Sequence, residues 1–395
     1  MTSNNKKCKP QIIQSPHKDF IHDLAFDYYG RRIATCSADR TVKIFDLDEN
    51  GEWTTSEQIG SGGGWKAHSS GVTSLSWAHP EFGQLLATAG ADGLAMIWEE
   101  RTDSLGGGAG AVGGLSGVSG GMSKTTATGA GTNSSNSVFA TPAPVSRWIE
   151  KARLAEARKS VTCVKFAPRH YRGLQLATAS ADGVVRIYEA VDVMNLTHWS
   201  LKFFIEVVQP DHSSHTELGV RCLDWCQGRF EPPTLVVGDS SGNVNIYRYS
   251  EASRNWGLYL RLDGHVNPRK GVLDVAWCPD VGRSYHLVAS CGRDGCLRVH
   301  KLRKTNNLLI DSTASGAGSS TNNNGSDKRQ MASALELESS QVLNTQDEVW
   351  NCSWNVTGTV LASSGDGGVV GLWKSDFKGI WKCVSKVKGS SQMKK

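Results

Sequence analysis

Short runs of β-branched and aromatic residues alternate with turn-forming residues along the chain, most clearly from Ser160 to Ala190. This stretch contains three strand-like segments, VTCVKF, LQLATAS and VVRIY. Between the last two, Ala181-Asp182-Gly183 predicts a tight hairpin turn. Glycine accepts a positive φ, and a short aspartate side chain hydrogen-bonds the backbone two residues further on. The pattern therefore predicts an antiparallel meander.

The same pattern occurs six times, with the other copies starting at His22, Val72, Val220, Val272 and Val349. Three strands cannot bury both faces of their sheet, so consecutive units must pack against one another. The chain is therefore predicted to be all-β, a six-bladed β-propeller. An aromatic residue closes each first strand: Phe26, Trp77, Phe166, Trp225, Trp277 and Trp354. Five copies carry a turn aspartate to which we assign a structural role: Asp39, Asp92, Asp182, Asp294 and Asp366.

The fourth copy departs from this turn pattern, because GDSSGN replaces the Asp-Gly signature. Each unit also needs a fourth strand. The candidates are Glu52 to Ile59, Arg147 to Lys159, Ala334 to Leu343 and Trp381 to Val387. The second of these has a helical composition, but its place in the repeat favours a strand.

The 395 residues leave room for segments outside the blades. We predict a disordered N-terminus at 1–10, one propeller domain at 11–388 and a disordered tail at 389–395. Two low-complexity insertions, 102–146 and 304–331, are predicted to be disordered because they bury too little apolar surface to offset their ordering entropy. Gln11 to Ser15 is a candidate short strand. Such a strand would matter for ring closure, since some propellers join their two termini in one blade.

Composition narrows the function classes. The net charge of +5 comes from dispersed lysines and arginines, which gives little support for binding nucleic acid directly. No run of about 20 apolar residues is present, so we expect no transmembrane segment. The ten cysteines lie mostly within predicted strands and lack close CxxC spacing, which favours packing over a metal site or disulfides.

Catalytic chemistry is not indicated. His68 and His265 precede their units at a repeated offset from Asp92 and Asp294, and no positioned nucleophile accompanies them. This recurrence favours a hydrogen bond within the blade. Glycine spacings in the first insertion lack the strand and helix context of a nucleotide site. We therefore expect neither enzymatic activity nor a cofactor.

The repeats resemble WD repeats, although the Trp-Asp pair is altered in all six, for example to Tyr188-Glu189 and Trp373-Lys374. Glu189 to Leu201, EAVDVMNLTHWSL, is the most specific segment, because a generic WD repeat does not require it. The resemblance is to the nucleoporin Seh-one branch of the Sec-thirteen-like WD-repeat family. Other segments carrying it are His17 to Asp39, Ser76 to Gly93, Val164 to Leu201 and Ser353 to Gly368.

This resemblance implies a non-enzymatic scaffold. It implies an open propeller completed by a blade from an α-solenoid nucleoporin of the Nup-eighty-five type, within the Y-shaped outer-ring assembly of the nuclear pore. A second family role lies in the complex that signals amino-acid sufficiency to the growth-controlling kinase at lysosomal or vacuolar membranes. By the same analogy, the partner interface lies at the edges of the first and last blades. Its candidate residues are Ile12, Ile13, Phe20, Ile21, Trp373 and Trp381.

Two alternatives remain open. One is a vesicle-coat subunit of the Sec-thirteen type, which shares the open ring. The other is a WD-repeat substrate receptor of a ubiquitin ligase, which Trp98-Glu99-Glu100-Arg101 only partly resembles.

Overall fold

The computed structural model describes residues 11–56, 63–103, 145–208, 219–265, 271–305, 334–345 and 347–388. They form six antiparallel sheets, each with its strands hydrogen-bonded in sequence order. The first strands of successive blades contact each other in turn, which places them around a common centre. The predicted all-β propeller of six blades is thereby confirmed. Within the described residues, no helix has the length and apolar character needed to cross a bilayer.

Blades one to three follow the repeat closely, except that the fourth strand of blade one is divided. They consist of β1 (Ile21–Phe26), β2 (Arg32–Ser37), β3 (Thr41–Leu47), β4 (Trp53–Thr55) and β5 (Gly64–Lys66); β6 (Val72–Trp77), β7 (Leu85–Gly90), β8 (Ala95–Asp103) and β9 (Val145–Leu154); and β10 (Val161–Phe166), β11 (Gln175–Ser180), β12 (Val184–Ala190) and β13 (Trp199–Glu206).

Blades four to six have four strands each. They consist of β14 (Val220–Trp225), β15 (Thr234–Asp239), β16 (Val244–Ser250) and β17 (Asn255–Leu262); β18 (Val272–Trp277), β19 (Tyr285–Gly292), β20 (Cys296–Thr305) and β21 (Ala334–Asn344); and β22 (Val349–Trp354), β23 (Val360–Gly365), β24 (Val369–Ser375) and β25 (Trp381–Lys388).

A β-bulge recurs in the first strand of every blade, one residue after its start. A bulge inserts one unpaired residue and so resets which side chains share a face of the strand. In blade three it brings Val161 onto the same side as Val164 and Phe166, and all three pack against blade two. The repeated bulge therefore fixes an equivalent set of facing residues in every blade.

The core lies between the blades. Five buried clusters connect the five consecutive pairs of blades, from one and two through to five and six. Leu75 and Ile97, on opposite faces of blade two, belong to different clusters and are fully buried. Burial of one such side chain contributes about 1.5–3 kcal/mol, so each blade depends on its neighbours for stability.

Several predicted boundaries change. Arg147 to Lys159 supplies a strand, as expected, which the structure bounds as β9. The described part of Glu52 to Ile59 contains the short β4, and β5 pairs with the first half of β3. Gln11 to Ser15 has no strand structure.

The predicted insertions are also shorter at their edges. Strand pairing extends β8 through Asp103, begins β9 at Val145 and extends β20 through Thr305. The rest of both insertions, the segments 1–10 and 389–395, and most of the loop from Gln209 to Leu218 lie outside the described residues.

Candidate partner-binding faces

Each blade has two faces, which we call the leading face, toward the preceding blade, and the trailing face, toward the following blade. Apolar side chains of the first strand lie on the leading face, and side chains of the second and third strands alternate between the two faces. In blade two, Val72 and Leu75 pack on blade one, whereas Ala87 and Ile97 pack on blade three. All four are fully buried, so both faces of blade two are covered.

On the leading face of blade one, the first-strand side chains Ile21, Leu24 and Phe26 are 44%, 55% and 54% exposed. Ile33 and Phe45 of the next two strands lie on the same face and are buried. Leu24 pairs with Thr35 in the same register as Leu75 with Thr88. The five residues equivalent to Leu24 are at most 3% exposed, namely Leu75, Val164, Leu223, Val275 and Cys352.

The trailing face of blade six consists of Ala362, Ser364, Val370 and Leu372. Val370 is 38% exposed and the other three are half-buried. The five residues equivalent to Val370 are at most 1% exposed, namely Val42, Ala95, Val185, Val244 and Leu297. In the part of the chain that the structure describes, no buried hydrophobic cluster joins blade six to blade one.

The structure separates the six candidate interface residues into two groups. Ile12 and Phe20 are exposed, Ile13 is half-buried, and Ile21 lies on the leading face of blade one. Trp373 and Trp381 are each 7% exposed and belong to the cluster between blades five and six. Both tryptophans therefore offer little surface to a partner.

Leu24 and Phe26 were missed by the sequence reasoning. Both follow the apolar pattern of the repeat, so the pattern marks them as buried. The signal that could have identified them is position in the chain. They belong to the first copy, whose leading face has no preceding copy to cover it.

Carboxylates tie neighbouring first strands together around the centre of the ring. Asp23 Oδ2 accepts a hydrogen bond from Leu75 N at 3.1 Å, which joins blades one and two. Asp274 Oδ2 accepts from Cys352 N at 3.0 Å and joins blades five and six. These bonds satisfy backbone N–H groups that would otherwise be unpaired at the centre.

A cavity of about 310 Å³ lies among these strands, and Lys165 is part of its lining. Burial opposes the charge on Lys165, but the carboxylates of Asp23, Asp224 and Asp274 outweigh this effect and raise the lysine pKa. Burial raises the pKa of Asp274 to about 7, although Lys165 acts in the opposite direction. The described residues contain no cluster suited to hold a metal ion. The arrangement connects strands, and every carboxylate oxygen named above has a structural role.

Four of the five predicted turn aspartates close hairpins, and three of them also contact a histidine. The carboxylates of Asp39, Asp92, Asp182 and Asp294 each accept a hydrogen bond from the backbone N two residues further on. Asp366 differs: its side chain is exposed and hydrogen-bonds none of the described residues, while its backbone N donates to Glu348 O. In blade four this role falls to Asp239, which the sequence reasoning missed and which accepts from Ser241 N and Asn243 N.

The predicted histidine arrangement is most complete in blade two. His68 Nδ1 lies 3.0 Å from Asp92 Oδ1, and His68 Nε2 lies 2.8 Å from Thr88 Oγ1, which also accepts from the Trp98 indole. Burial lowers the pKa of His68, although Asp92 opposes this effect. A neutral, fully bonded histidine has a structural role here.

His265 makes the same contact with Asp294. His17, which the sequence reasoning missed, does so with Asp39. The separation of 22 residues between His17 and Asp39, close to the 24 in blade two, was the available signal.

Comparison with known proteins agrees with this architecture. Residues 8–46, 60–99, 151–189, 256–301 and 337–374 match the family described as WD domain, G-beta repeat. Nucleoporin SEH1 of Xenopus tropicalis is 38% identical over 385 residues, covering 95% of this chain and 88% of the relative. Nucleoporin SEH1 of Homo sapiens is 38% identical over 386 residues, covering 96% and 88%. The protein of that name from Danio rerio is 37% identical over 385 residues, covering 95% and 86%.

The family model thus matches five of the six blades, and the relatives cover 95–96% of the chain. The chain belongs to the SEH1 nucleoporin family of WD-repeat β-propellers.

Proposed function

We propose that this protein is a non-enzymatic scaffold subunit of the nuclear pore complex, in which the six-bladed ring is open and a partner supplies a further blade. The relatives are named nucleoporins. The observation that carries the proposal is the exposure of Ile21, Leu24 and Phe26 together with that of Val370. Among the described blades, these are the two faces on which no other blade of the chain packs.

We propose an α-solenoid nucleoporin of the Nup-eighty-five type as the partner. A segment of that protein would add a sheet between blades six and one by β-augmentation, which covers apolar faces and strand edges together. The interface would consist of the leading face of blade one and the trailing face of blade six. Phe20 and Ile12, both exposed nearby in sequence, would extend it.

The proposed setting is the Y-shaped outer-ring assembly at the nuclear envelope, where the protein supports transport between nucleus and cytoplasm. We also propose a second setting, the amino-acid-sensing complex at the lysosomal or vacuolar surface. Both settings need the same partner-completed propeller.

Affinity purification of the tagged full chain at moderate salt, followed by quantitative mass spectrometry, tests the setting. We expect outer-ring nucleoporins in amounts equal to the tagged chain. Recovery of vesicle-coat subunits alone, or of ubiquitin-ligase subunits alone, would overturn the pore assignment in favour of one of the two alternatives.

The interface has its own test. Leu24→Asp places a charge on the leading face of blade one, and we expect it to abolish recovery of the α-solenoid partner. Leu258→Asp is the matched control, because Leu258 is similarly exposed but lies on β17, the last strand of blade four. Equal recovery with both variants would count against a partner between blades six and one.

A further inference from the structure

We propose, building on the function proposed above, that the incoming segment presents a first strand ending in tryptophan, and that Asn351 and Ser353 of blade six hold this strand in register. The proposal follows from polar contacts that recur where one blade of this chain meets the next. These contacts define what any additional blade must supply.

Two positions in the first strand act as hydrogen-bond acceptors for the next blade. At the first acceptor position, Asp23 and Asp274 accept from Leu75 N and Cys352 N, at 3.1 and 3.0 Å. Ser74 occupies the same position in blade two and accepts from Val164 N at 3.5 Å.

The second acceptor position lies two residues further along the strand. There, Ser76 Oγ accepts from Phe166 N at 3.1 Å, and Asp224 Oδ2 accepts from Trp277 N at 2.7 Å. The acceptor is thus a hydroxyl or a carboxylate. In both contacts the donor is the backbone N of the aromatic residue that closes the next first strand.

Three of the four tryptophans that end a first strand add a third contact, directed back to the preceding blade; the fourth, Trp277, donates to His286 Nδ1 within its own blade. In each of the three, the indole Nε1 donates to the backbone carbonyl of the residue at the second acceptor position. The distances are 3.1 Å from Trp77 to Ala25 O, 3.0 Å from Trp225 to Lys165 O, and 3.1 Å from Trp354 to Ala276 O.

In blade six, the register assigns Asn351 to the first acceptor position and Ser353 to the second. Both residues are exposed, and neither side chain hydrogen-bonds any residue that the structure describes. Their oxygens match the amide and hydroxyl chemistry needed to accept from a backbone N–H. Blade two has acceptors at both positions, Ser74 and Ser76, and blade six presents an equivalent pair without donors among the described residues.

An incoming strand that satisfies this pattern has an apolar first residue, a free second position, then a polar acceptor, an apolar residue, a second polar acceptor and a tryptophan. The chain's own Val72–Trp77, VTSLSW, is an example. The small side chains of Ala362 and Ser364 leave space on the trailing face for its bulky residues. An α-helix does not fit, because its own carbonyls already accept its N–H groups and leave Asn351 and Ser353 without donors.

The test measures the affinity of the purified full chain for the purified Nup-eighty-five-type nucleoporin by isothermal titration calorimetry. We expect Asn351→Ala and Ser353→Ala each to weaken binding about 3- to 10-fold, as for loss of one hydrogen bond. Asn351→Asp should keep the affinity within about 2-fold, because aspartate is the acceptor at this position in blades one and five. Replacing the tryptophan of the partner's first strand by phenylalanine should weaken binding by a similar 3- to 10-fold.

Ser385→Ala is the control, since Ser385 is exposed on β25, the last strand of the same blade. Its affinity should equal that of the wild type. The alanine variants at 351 and 353 should unfold at the wild-type temperature, because neither side chain hydrogen-bonds any of the described residues of the unbound chain.

The two proposals fail in different ways. Absence of binding by the wild-type chain would overturn the proposed function. Wild-type binding that both alanine variants retain in full would overturn only the register, as would a partner whose first strand tolerates the loss of its tryptophan.

Discussion

The interface between blades one and two and the uncovered pair of faces on blades six and one are built from equivalent positions. At the closed interface, Leu75 packs against Val42 and Ile44, and all three are fully buried. At the uncovered faces, Leu24 and Val370 occupy the equivalent positions and stay exposed. This difference shows that every repeat has faces able to pack against another blade. The position of the repeat along the chain decides whether that other blade belongs to the same molecule.

The polar contacts differ as well. Arg32 of blade one forms a two-pronged ion pair with Glu100 of blade two, and its guanidinium also lies 5.7 Å from the Trp77 ring. The side chain of Glu100 is only 8% exposed. These charged contacts lie outside the apolar cluster and stabilise the closed interface. The uncovered faces carry acceptors such as Asn351, whose hydrogen-bond donors would come from a partner molecule.

The largest effect on stability is expected when the two equivalent leucines, Leu75 at the closed interface and Leu24 on the uncovered face, are each replaced by alanine. Leu75→Ala should lower the free energy of unfolding by about 2–5 kcal/mol, because it leaves a cavity between two blades. Leu24→Ala should change it by less than about 0.5 kcal/mol, as for a surface substitution. Urea unfolding of the free chain, followed by tryptophan fluorescence, measures both.

Comparable losses in the two leucine variants would break the comparison, because they would show that the leading face of blade one is covered in solution. The slope of the urea transition serves as the control. An unchanged slope indicates that the variant alters stability and leaves the surface exposed on unfolding unchanged.

A smaller effect is expected at the first acceptor position. Asp23→Ala removes the acceptor for Leu75 N and for the Ser74 hydroxyl, and should destabilise the free chain by about 1–3 kcal/mol. Asn351→Ala removes an acceptor without a donor and should leave the melting temperature of the free chain unchanged. Differential scanning calorimetry measures the melting temperatures of both variants. A fall for Asp23→Ala alone would show that only the acceptor at the closed interface contributes to stability. Equal falls in the two variants would contradict this.

The sequence was sufficient to predict the fold because each blade repeats local information: strand patterning, an Asp-bearing turn and a closing aromatic residue. It also predicted the structural histidines His68 and His265. It could not predict the division of β4 and β5, since that depends on pairing along β3. Trp373 and Trp381 could be named only as candidates, because a bulky ring at the end of a blade looks the same in sequence whether it packs inward or stays exposed; the structure buries both. Leu24 was missed because its pattern is that of a buried residue.

A further effect, seen only as a change with pH, concerns protonation at the first acceptor position, which can titrate where it is Asp274 but cannot where it is Asn351. Burial raises the pKa of Asp274 to about 7, from an ordinary value of 3.8. Between these pH values the folded protein holds a proton that the unfolded chain releases, so the stability from this group is lost as the pH rises toward and through 7. Lys165 opposes the shift, while Asp23 and Asp224 add to it.

We therefore expect the melting temperature of the wild type to fall, relative to that of Asp274→Asn, as the pH is raised from 5 to 8. Taking the difference between the two proteins removes the contribution of His68, His265 and His300, whose pKa values are lowered by burial and whose effect on stability has the opposite sign. A difference that stays constant with pH would mean that Asp274 is ionised throughout this range. The same measurement on Asn351→Asp sharpens the comparison. The new carboxylate is exposed on blade six, so its pKa should stay ordinary and the melting temperature should gain no further pH dependence above pH 5. Burial in a covered interface is what raises the pKa of a carboxylate.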